Sequence, residues 1–388
     1  MGTLKPVPPL NLKNMIEEGY HPTAYVLPVT DSVIAMKRIS QLRQENKEQF
    51  EAFDKAIFDF ASEKRNSQSE KTLRAKIKAY QIIKEALPDM PGATLHFCGS
   101  SVNSCGTESC DVDLCWAVPV TVDPAVPSDI PYPMHEQGRF DPTRLLRFAM
   151  TRIEEIDNVT SLEFVCARVK ILKFDIEIDG LLLPVDVNLN NIAGVYNTFM
   201  VKHYTKIDER FSILSRILKA WGKKAQVVDS SHGYLNSYTI VLMVLHFLQC
   251  GVSPPILPNL NALCPHLFDG NLDLHELERS YEIDLDIRMH RNDTPIGDLL
   301  IGFFRYFAMF NYEYEGILLR MGCVSLKANL KDCFFLEEVY DRYTVPKNLN
   351  YERLDYIKCS FLDTFYTLQR GPDFKKLMND ERTFMKKV

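Results

Sequence analysis

What this chain lacks narrows it before any motif is read. No apolar run approaches the ~20 residues a membrane-spanning helix needs; the longest, YTIVLMVLHFL, is about half that and reads as a buried helix. No secretory leader is visible in MGTLKPVPPL, which is Pro-rich and polar. Basic excess is missing too: 45 Lys and Arg stand against 51 Asp and Glu, a net charge of −6. Proteins that grip nucleic acid unaided place cations on its phosphates. Here there is no long basic run, no aromatic RNA-recognition signature and no Gly-x-x-Gly loop of the KH type. Any nucleic acid handled by this chain would therefore be held weakly and brought by a partner. Ten cysteines without a compact framework speak for reduced thiols, in the cytosol or nucleus. Cys98, Cys105, Cys110 and Cys115 cluster at spacings of seven, five and five, which match no common zinc pattern, so buried thiols are expected.

What is present concentrates in FCGSSVNSCGTESCDVDLCW, residues 97–116. Asp111 and Asp113 are one residue apart, and in an extended strand they share a face while Val112 points back. Leu114, Cys115 and Trp116 continue apolar, as a strand entering a core does. Paired carboxylates are costly unless a cation neutralises them, and Mg²⁺ is the usual one. Gly99-Ser100, twelve residues before Asp111, offers what a nucleotide's phosphates need: close backbone approach, amide donors and a hydroxyl. The pattern reads as metal-dependent nucleotidyl transfer.

Such a site needs a third carboxylate. In ILKFDIEIDGLLLPVDVNLNN the residues alternate cleanly, with Leu172, Phe174, Ile176 and Ile178 on one parity. Asp179-Gly180 is a strong two-residue hairpin turn. The returning strand puts Leu181, Leu183, Val185, Val187 and Leu189 on its core face and Asp186, Asn188 and Asn190 on the other. Asp186 is the only carboxylate of that strand and is the favoured third ligand; Asp175 and Glu177 read as solvent-facing charges.

At 388 residues and 46% hydrophobic, the chain can bury a large core and is expected to form two domains. Residues 1–31 look irregular; residues 32–64 and Thr72–Leu87 have helical spacing; residues 119–142, with six prolines, read as an inserted loop. Strands and short helices run to about residue 200, and helical patterns dominate from residue 204 on. In RFSILSRILKAWGKK, Phe211, Leu214, Ile217, Leu218 and Trp221 form an apolar face, and Arg216, Lys219 and Lys223 a basic stripe. In HGYLNSYTIVLMVLHFLQ, Asn236 reads as a helix cap ahead of Ser237 and Tyr238. His203, His232, His246, His266 and His275 are scattered, and none is assigned to catalysis.

Five blocks in order (GSSVNSCGTESCDVDLC, PVDVNLNNIAGVYNT, RFSILSRILKAWGKK, HGYLNSYTIVLMVLHFLQ and IGDLLIGFFRYFAMFNYEYEGILLR) resemble the DNA-polymerase-β-like terminal nucleotidyltransferases. The resemblance covers roughly residues 80–340 and is nearest to cytoplasmic poly(A) polymerases of the germline-development type. It implies an α+β fold: a mixed-sheet catalytic domain at 65–200, a helical central domain at 201–388, an active-site cleft between them, and a segment at 32–64 packing with the central domain. It implies an enzyme that adds AMP from ATP to RNA 3′ ends in the cytoplasm. Asp111, Asp113 and Asp186 would hold two Mg²⁺ ions (or Mn²⁺), one ion orienting the RNA 3′-hydroxyl and the other steadying the β- and γ-phosphates. Gly99, Ser100, Lys219, Lys223 and Ser237 would meet the triphosphate, Tyr238 would stack on the base, and Asn197, with Thr198, would lie near the ribose. The implied partner is an RNA-binding protein of KH or RNA-recognition type; the Pro-rich insertion and TAYVLPV are candidate docking segments. No membrane role is implied.

Base choice rests on an absence. In uridylyl-transferring relatives a histidine in a late loop reads uracil. Here the corresponding stretch, FLEEVYDRYTVPKNL, keeps Glu337 and Glu338 but has Val339 where a proline is common, and no histidine follows His290. This argues for ATP over UTP, with Glu338 near the base and Tyr343 or Thr344 as substitutes. The other readings are a terminal uridylyltransferase and a catalytically silent scaffold.

Overall fold

The computed structural model describes residues 29–119 and 141–379 except 167, 168, 286, 288 and 328. The expected Pro-rich insertion and the docking segment TAYVLPV therefore fall almost wholly outside the described residues. The chain divides into two units. One takes the described residues up to Ile57, Leu218–Asp273 and those from Glu282 on; the other takes Phe58–Ile217 and Leu274–Tyr281. The α+β class expected from the sequence is the class observed.

The second unit is built on a five-stranded mixed sheet, β1 (Thr94–Cys98), β2 (Val112–Ala117), β3 (Val159–Val165), β4 (Ile171–Ile178) and β5 (Leu181–Leu189), in the order β1-β2-β5-β4-β3. Only β2 and β5 run parallel; the other pairs are antiparallel. The β4–β5 hairpin forms where the Asp179-Gly180 dipeptide predicts it, with φ of 52° and 74° at the two turn residues. Both central positions of such a turn need positive φ, which Asp and Gly tolerate. One face of the sheet is covered by helices Glu70–Ala86 and Thr143–Ile153, and its core gathers Leu114, Trp116, Leu172, Phe174, Val185 and Val187 with Ala79, Ile83, Leu146 and Ile153. Each large apolar side chain buried there contributes about 1.5–3 kcal/mol. Because strand side chains alternate, this burial sends Asp113 and Asp186 to the other face.

In the first unit the aromatic residues make the core. Trp221 meets Phe304 at 4.7 Å and Phe361 at 5.5 Å between ring centroids, and Phe247 meets Phe303 at 5.9 Å. The helix Ser237–Cys250 is buried at every residue from Thr239 to Cys250, as its unbroken apolar run predicts. Among the described residues no helix is long and apolar enough to cross a membrane. The expected helical segment 32–64 is two helices, Thr30–Glu45 and Lys47–Ser62, interrupted at Asn46. A second departure lies in IGDLLIGFFRYFAMFNYEYEGILLR. Its helix stops at Met309, and Glu315–Leu318 is instead strand β6 of a small sheet with β7 (Cys323–Leu326) and β8 (Phe335–Leu336). Strands of two to four residues are too short to show an alternation that sequence reading can find.

Candidate active site

The carboxylates are positioned by strand register. Parallel pairing of β2 with β5 sets Asp113 directly beside Asp186, both on the face left by the apolar core. Asp111 precedes β2 rather than lying within it, so the expected strand placement of both members of the Asp-x-Asp pair holds only for Asp113. The electrostatics show a surplus of negative charge. Burial pushes the Asp113 carboxyl up to about 7, with Asp111 and Asp186 adding to the shift. Burial also raises Asp186, against the opposing influence of Lys173. Lys173, directly across from Asp186 on β4, places its Nζ 3.2 Å from Asp186 Oδ1. That oxygen is buried, and the Lys173 ammonium is the cation it faces.

This donor set fits a divalent cation chemically: hard oxygens, close together, that resist sharing their charge without a counter-ion. As they stand, the carboxylates are not drawn around one point; among the described residues no group of three or more His, Cys, Asp or Glu is gathered tightly enough to hold a metal.

Beside the carboxylates the chain turns tightly after β1. Gly99 has φ +76°, and a Cβ built there would meet Asp113 Cγ at 2.7 Å. Only glycine admits this conformation without strain and leaves room for the carboxylate. The turn is pinned from helix Ile192–Ile207: the Gly99 N–H donates to Thr198 Oγ1 at 2.8 Å, and that hydroxyl donates to Gly194 O at 2.7 Å. Ser100 is half-buried beside it, and Asn197 is buried on the same helix. The amides of the returning strand do structural work. Asn190 bonds both the N–H and the carbonyl of Val118, at 2.7 and 2.9 Å, and Asn188 accepts from the Asn191 N–H at 3.3 Å.

The remaining candidates lie in the first unit. Lys219 is half-buried and Lys223 exposed on helix Glu209–Lys224. Asn236 caps helix Ser237–Cys250 by accepting from the Thr239 N–H at 2.7 Å, which places Ser237 and Tyr238 in its first turn. Tyr238 is half-buried as a residue; its hydroxyl is buried without a hydrogen-bond partner, and burial holds its pKa well above the ordinary value. Glu338 is buried, and one of its carboxylate oxygens accepts from the backbone N–H of Tyr340, at 2.8 Å, and of Asp341. Its main chain is tied as well, to Tyr343 O at 2.7 Å and the Arg342 N–H at 2.9 Å. Thr344 Oγ1 is likewise engaged with Phe334 O and the Leu336 N–H.

Known proteins resemble this chain in sequence and in fold. The sequence model described as the mitochondrial-like poly(A) RNA polymerase central palm domain matches residues 53–206, and that of the Cid1 family poly A polymerases matches 295–348. The chain therefore carries a poly(A) RNA polymerase palm domain and a Cid1-family poly A polymerase domain. The poly(A) RNA polymerase GLD2 of Xenopus tropicalis is 32% identical over 295 residues, 74% of this chain and 53% of that protein. The chain thus spans about half the length of that relative. Among solved structures, that of a GLD-2/RNP-8 complex superposes with a TM-score of 0.69 at 26% identity, over 84% of this chain and 98% of that one. The crystal structure of mtPAP in complex with GTP shares the fold, with a TM-score of 0.68 at 19% identity over 85% and 70% of the two chains.

Sequence reading of the nucleotidyltransferase missed two cations. Lys173 could have been found, since hairpin register alone sets it opposite Asp186. Lys76 could not: it sits on the core-facing side of helix Glu70–Ala86, fully buried. The scattered histidines are packing and surface residues: His203 bonds Phe199 O at 3.0 Å, His246 bonds the Tyr306 hydroxyl at 2.7 Å, and exposed His232 pairs with Asp229. All ten cysteines are free, with Cys98, Cys105 and Cys115 buried.

Proposed function

We propose that the protein is a template-independent RNA adenylyltransferase that extends RNA 3′ ends with AMP from ATP. The observation that carries this reading is the pairing of Asp113 with Asp186 across parallel strands, beside a glycine turn that leaves room for the carboxylate. Asp111, Asp113 and Asp186 are the residues that would hold Mg²⁺, which when bound supplies Lewis-acid stabilisation of charge on the reacting oxygens. The 3′-oxygen attacks the α-phosphorus, the bond to the β-phosphate oxygen breaks, and pyrophosphate leaves. Asp186, the carboxylate set across from Lys173 and beside Asp113, accepts the hydroxyl proton. The backbone of the Gly99 turn and the Ser100 hydroxyl meet phosphate oxygens, with Thr198 holding the turn in place.

By the family resemblance, Lys219, Lys223 and Ser237 contribute triphosphate contacts, Tyr238 offers its ring to the base, and Asn197 lies near the ribose. Glu338 acts at one remove: its carboxylate folds the 338–341 turn, so its influence on the base runs through that turn's shape. The absence of any histidine after His290 supports ATP over UTP. A net charge of −6 supports reliance on an RNA-binding partner, and free thiols suit the cytoplasm.

The test is extension of oligo(A) RNA with Mg²⁺ and each nucleotide separately, alone and with a candidate RNA-binding partner. Long products with ATP only are expected. Preference for UTP would overturn the base assignment, and no product with any nucleotide or partner would overturn the activity.

A further inference from the structure

A lysine at a core-facing helix position needs an explanation, because burying an ammonium costs several kcal/mol unless its protons are satisfied. Lys76 is fully buried on helix Glu70–Ala86, among Thr72, Ala75, Ala79 and Ile83. Its Nζ donates to Gln68 Oε1 at 2.9 Å, Ser101 Oγ at 2.9 Å and Cys110 O at 2.6 Å, with Cys110 Sγ at 3.1 Å. Three oxygens use all three ammonium protons. No carboxylate lies within ion-pair distance of it among the described residues.

Two of these acceptor residues, Ser101 and Cys110, belong to the two ends of one loop. Ser101 sits in the turn that starts at Gly99, and Cys110 immediately precedes Asp111. Ser101 carries the link onward: its Oγ donates to Asp111 O at 2.7 Å. Gln68 closes the ring by donating from Nε2 to Ser101 O at 2.9 Å. The backbone that presents Ser100 and the backbone that presents Asp111 are thus fastened to one buried cation. An apolar residue would pack in this helix without making any of these bonds.

We propose that Lys76 is a positioning residue for the active site: its ammonium clamps Ser101 and Cys110 so that Asp111 is held where the metal is bound. The inference rests on the reading of Asp111 as a metal ligand. The charge has a second effect, since Lys76 opposes the upward shift of Asp113 and helps hold Glu108 ionised.

The test compares wild type, Lys76→Met, Ser101→Ala and the double variant by RNA extension across Mg²⁺ concentrations, and by melting with and without Mn²⁺. Methionine replaces the stem and removes the charge, so Lys76→Met is expected to fold. Its half-saturating Mg²⁺ concentration should rise roughly tenfold and its kcat fall on the order of 100-fold, the scale of an ångström-sized misplacement. Its Mn²⁺-induced rise in melting temperature should shrink. Ser101→Ala should do the same more weakly, and the double variant should be no worse than Lys76→Met, because both act through one linkage. Lower melting with an unchanged Mg²⁺ requirement, or strictly additive losses, would overturn the proposal. Should Lys76→Met fail to fold, Ser101→Ala decides by the same readouts. A wild type that gains stability from Mn²⁺ yet extends no RNA would sink the proposed activity while the melting shifts still judge Lys76. A wild type whose melting is indifferent to Mn²⁺ would sink the reading of Asp111 as a metal ligand and the Lys76 proposal with it, while RNA extension still judges the activity.

Discussion

Gly99 and Asp113 occupy what would be one space if residue 99 carried a side chain. A Cβ on Gly99 would meet Asp113 Cγ at 2.7 Å, and the φ of +76° disfavours any L side chain. Gly99→Ala should therefore push the carboxylate away from Asp186 as well as strain the turn by about 1–2 kcal/mol. A kinetic assay beside a melting curve should show near-complete loss of RNA extension with only a modest fall in melting temperature. Normal extension by this variant would contradict the role given to the turn.

Asp113 is held against its neighbours' charge, its carboxyl pushed up to about 7 by burial and by Asp111 and Asp186. Asp113→Asn keeps the shape and removes the repulsion. In chelator the variant should melt at or above the wild-type temperature, while extension falls by at least about 1000-fold, the contribution expected of metal-assisted charge stabilisation. A variant that melts well below wild type would show that the carboxylate is structural.

Thr198 supplies the acceptor for the Gly99 N–H at 2.8 Å. Thr198→Val keeps the volume and removes the hydroxyl, leaving that donor unpaired at a cost of about 1–3 kcal/mol. Thr198→Ser should retain both stability and activity. If Val and Ser variants behave alike in extension assays, the hydroxyl does not hold the turn.

His246 sets a pH dependence through its burial. It is fully buried, bonds the Tyr306 hydroxyl through Nε2, and burial lowers its pKa to about 3. An unfolded histidine protonates near 6.5, so the unfolded state takes up the proton first as pH falls. The stabilisation is complete above about 6.5 and drains away as pH drops toward 3. Melting temperatures from pH 7 to 4 should fall more steeply for wild type than for His246→Gln; parallel curves would refute the linkage.

Arg43 bonds Asp54 at 2.7 Å and nearly buried Asp298 at 2.7 Å, and burial raises Asp298 to about 6 despite this partner. Arg43→Met strands both carboxylates, so chemical denaturation should show a loss of about 3–5 kcal/mol at neutral pH. Part of that loss should be recovered toward pH 5, where Asp298 takes a proton; a loss independent of pH would count against the buried charge as its cause.

Features that depend on near neighbours in the chain were legible without a structure. The Asp179-Gly180 turn, the two faces of β4 and β5, and the unbroken burial of Thr239–Cys250 follow from local φ preferences and apolar period. Strand alternation likewise singled out Asp113 and Asp186 on the face opposite the core, whereas their side-by-side register was decided by the parallel pairing of β2 with β5. What the tertiary structure decided depends on residues far apart in sequence. Lys76 looks like one more surface lysine until Ser101 and Cys110, 25 and 34 positions on, supply its acceptors. Glu338 is tied by its carboxylate to the 338–341 turn, a tie its sequence context does not announce. Asp111 counts as strand by its spacing, yet pairing with β5 begins only at Val112 and pairing with β1 only at Asp113. Pattern and propensity act within a few residues, so the sequence alone determined which elements form and which faces they bury. Desolvation and hydrogen-bond partnership are properties of a packed neighbourhood, and only folding determined which polar side chains are free for chemistry.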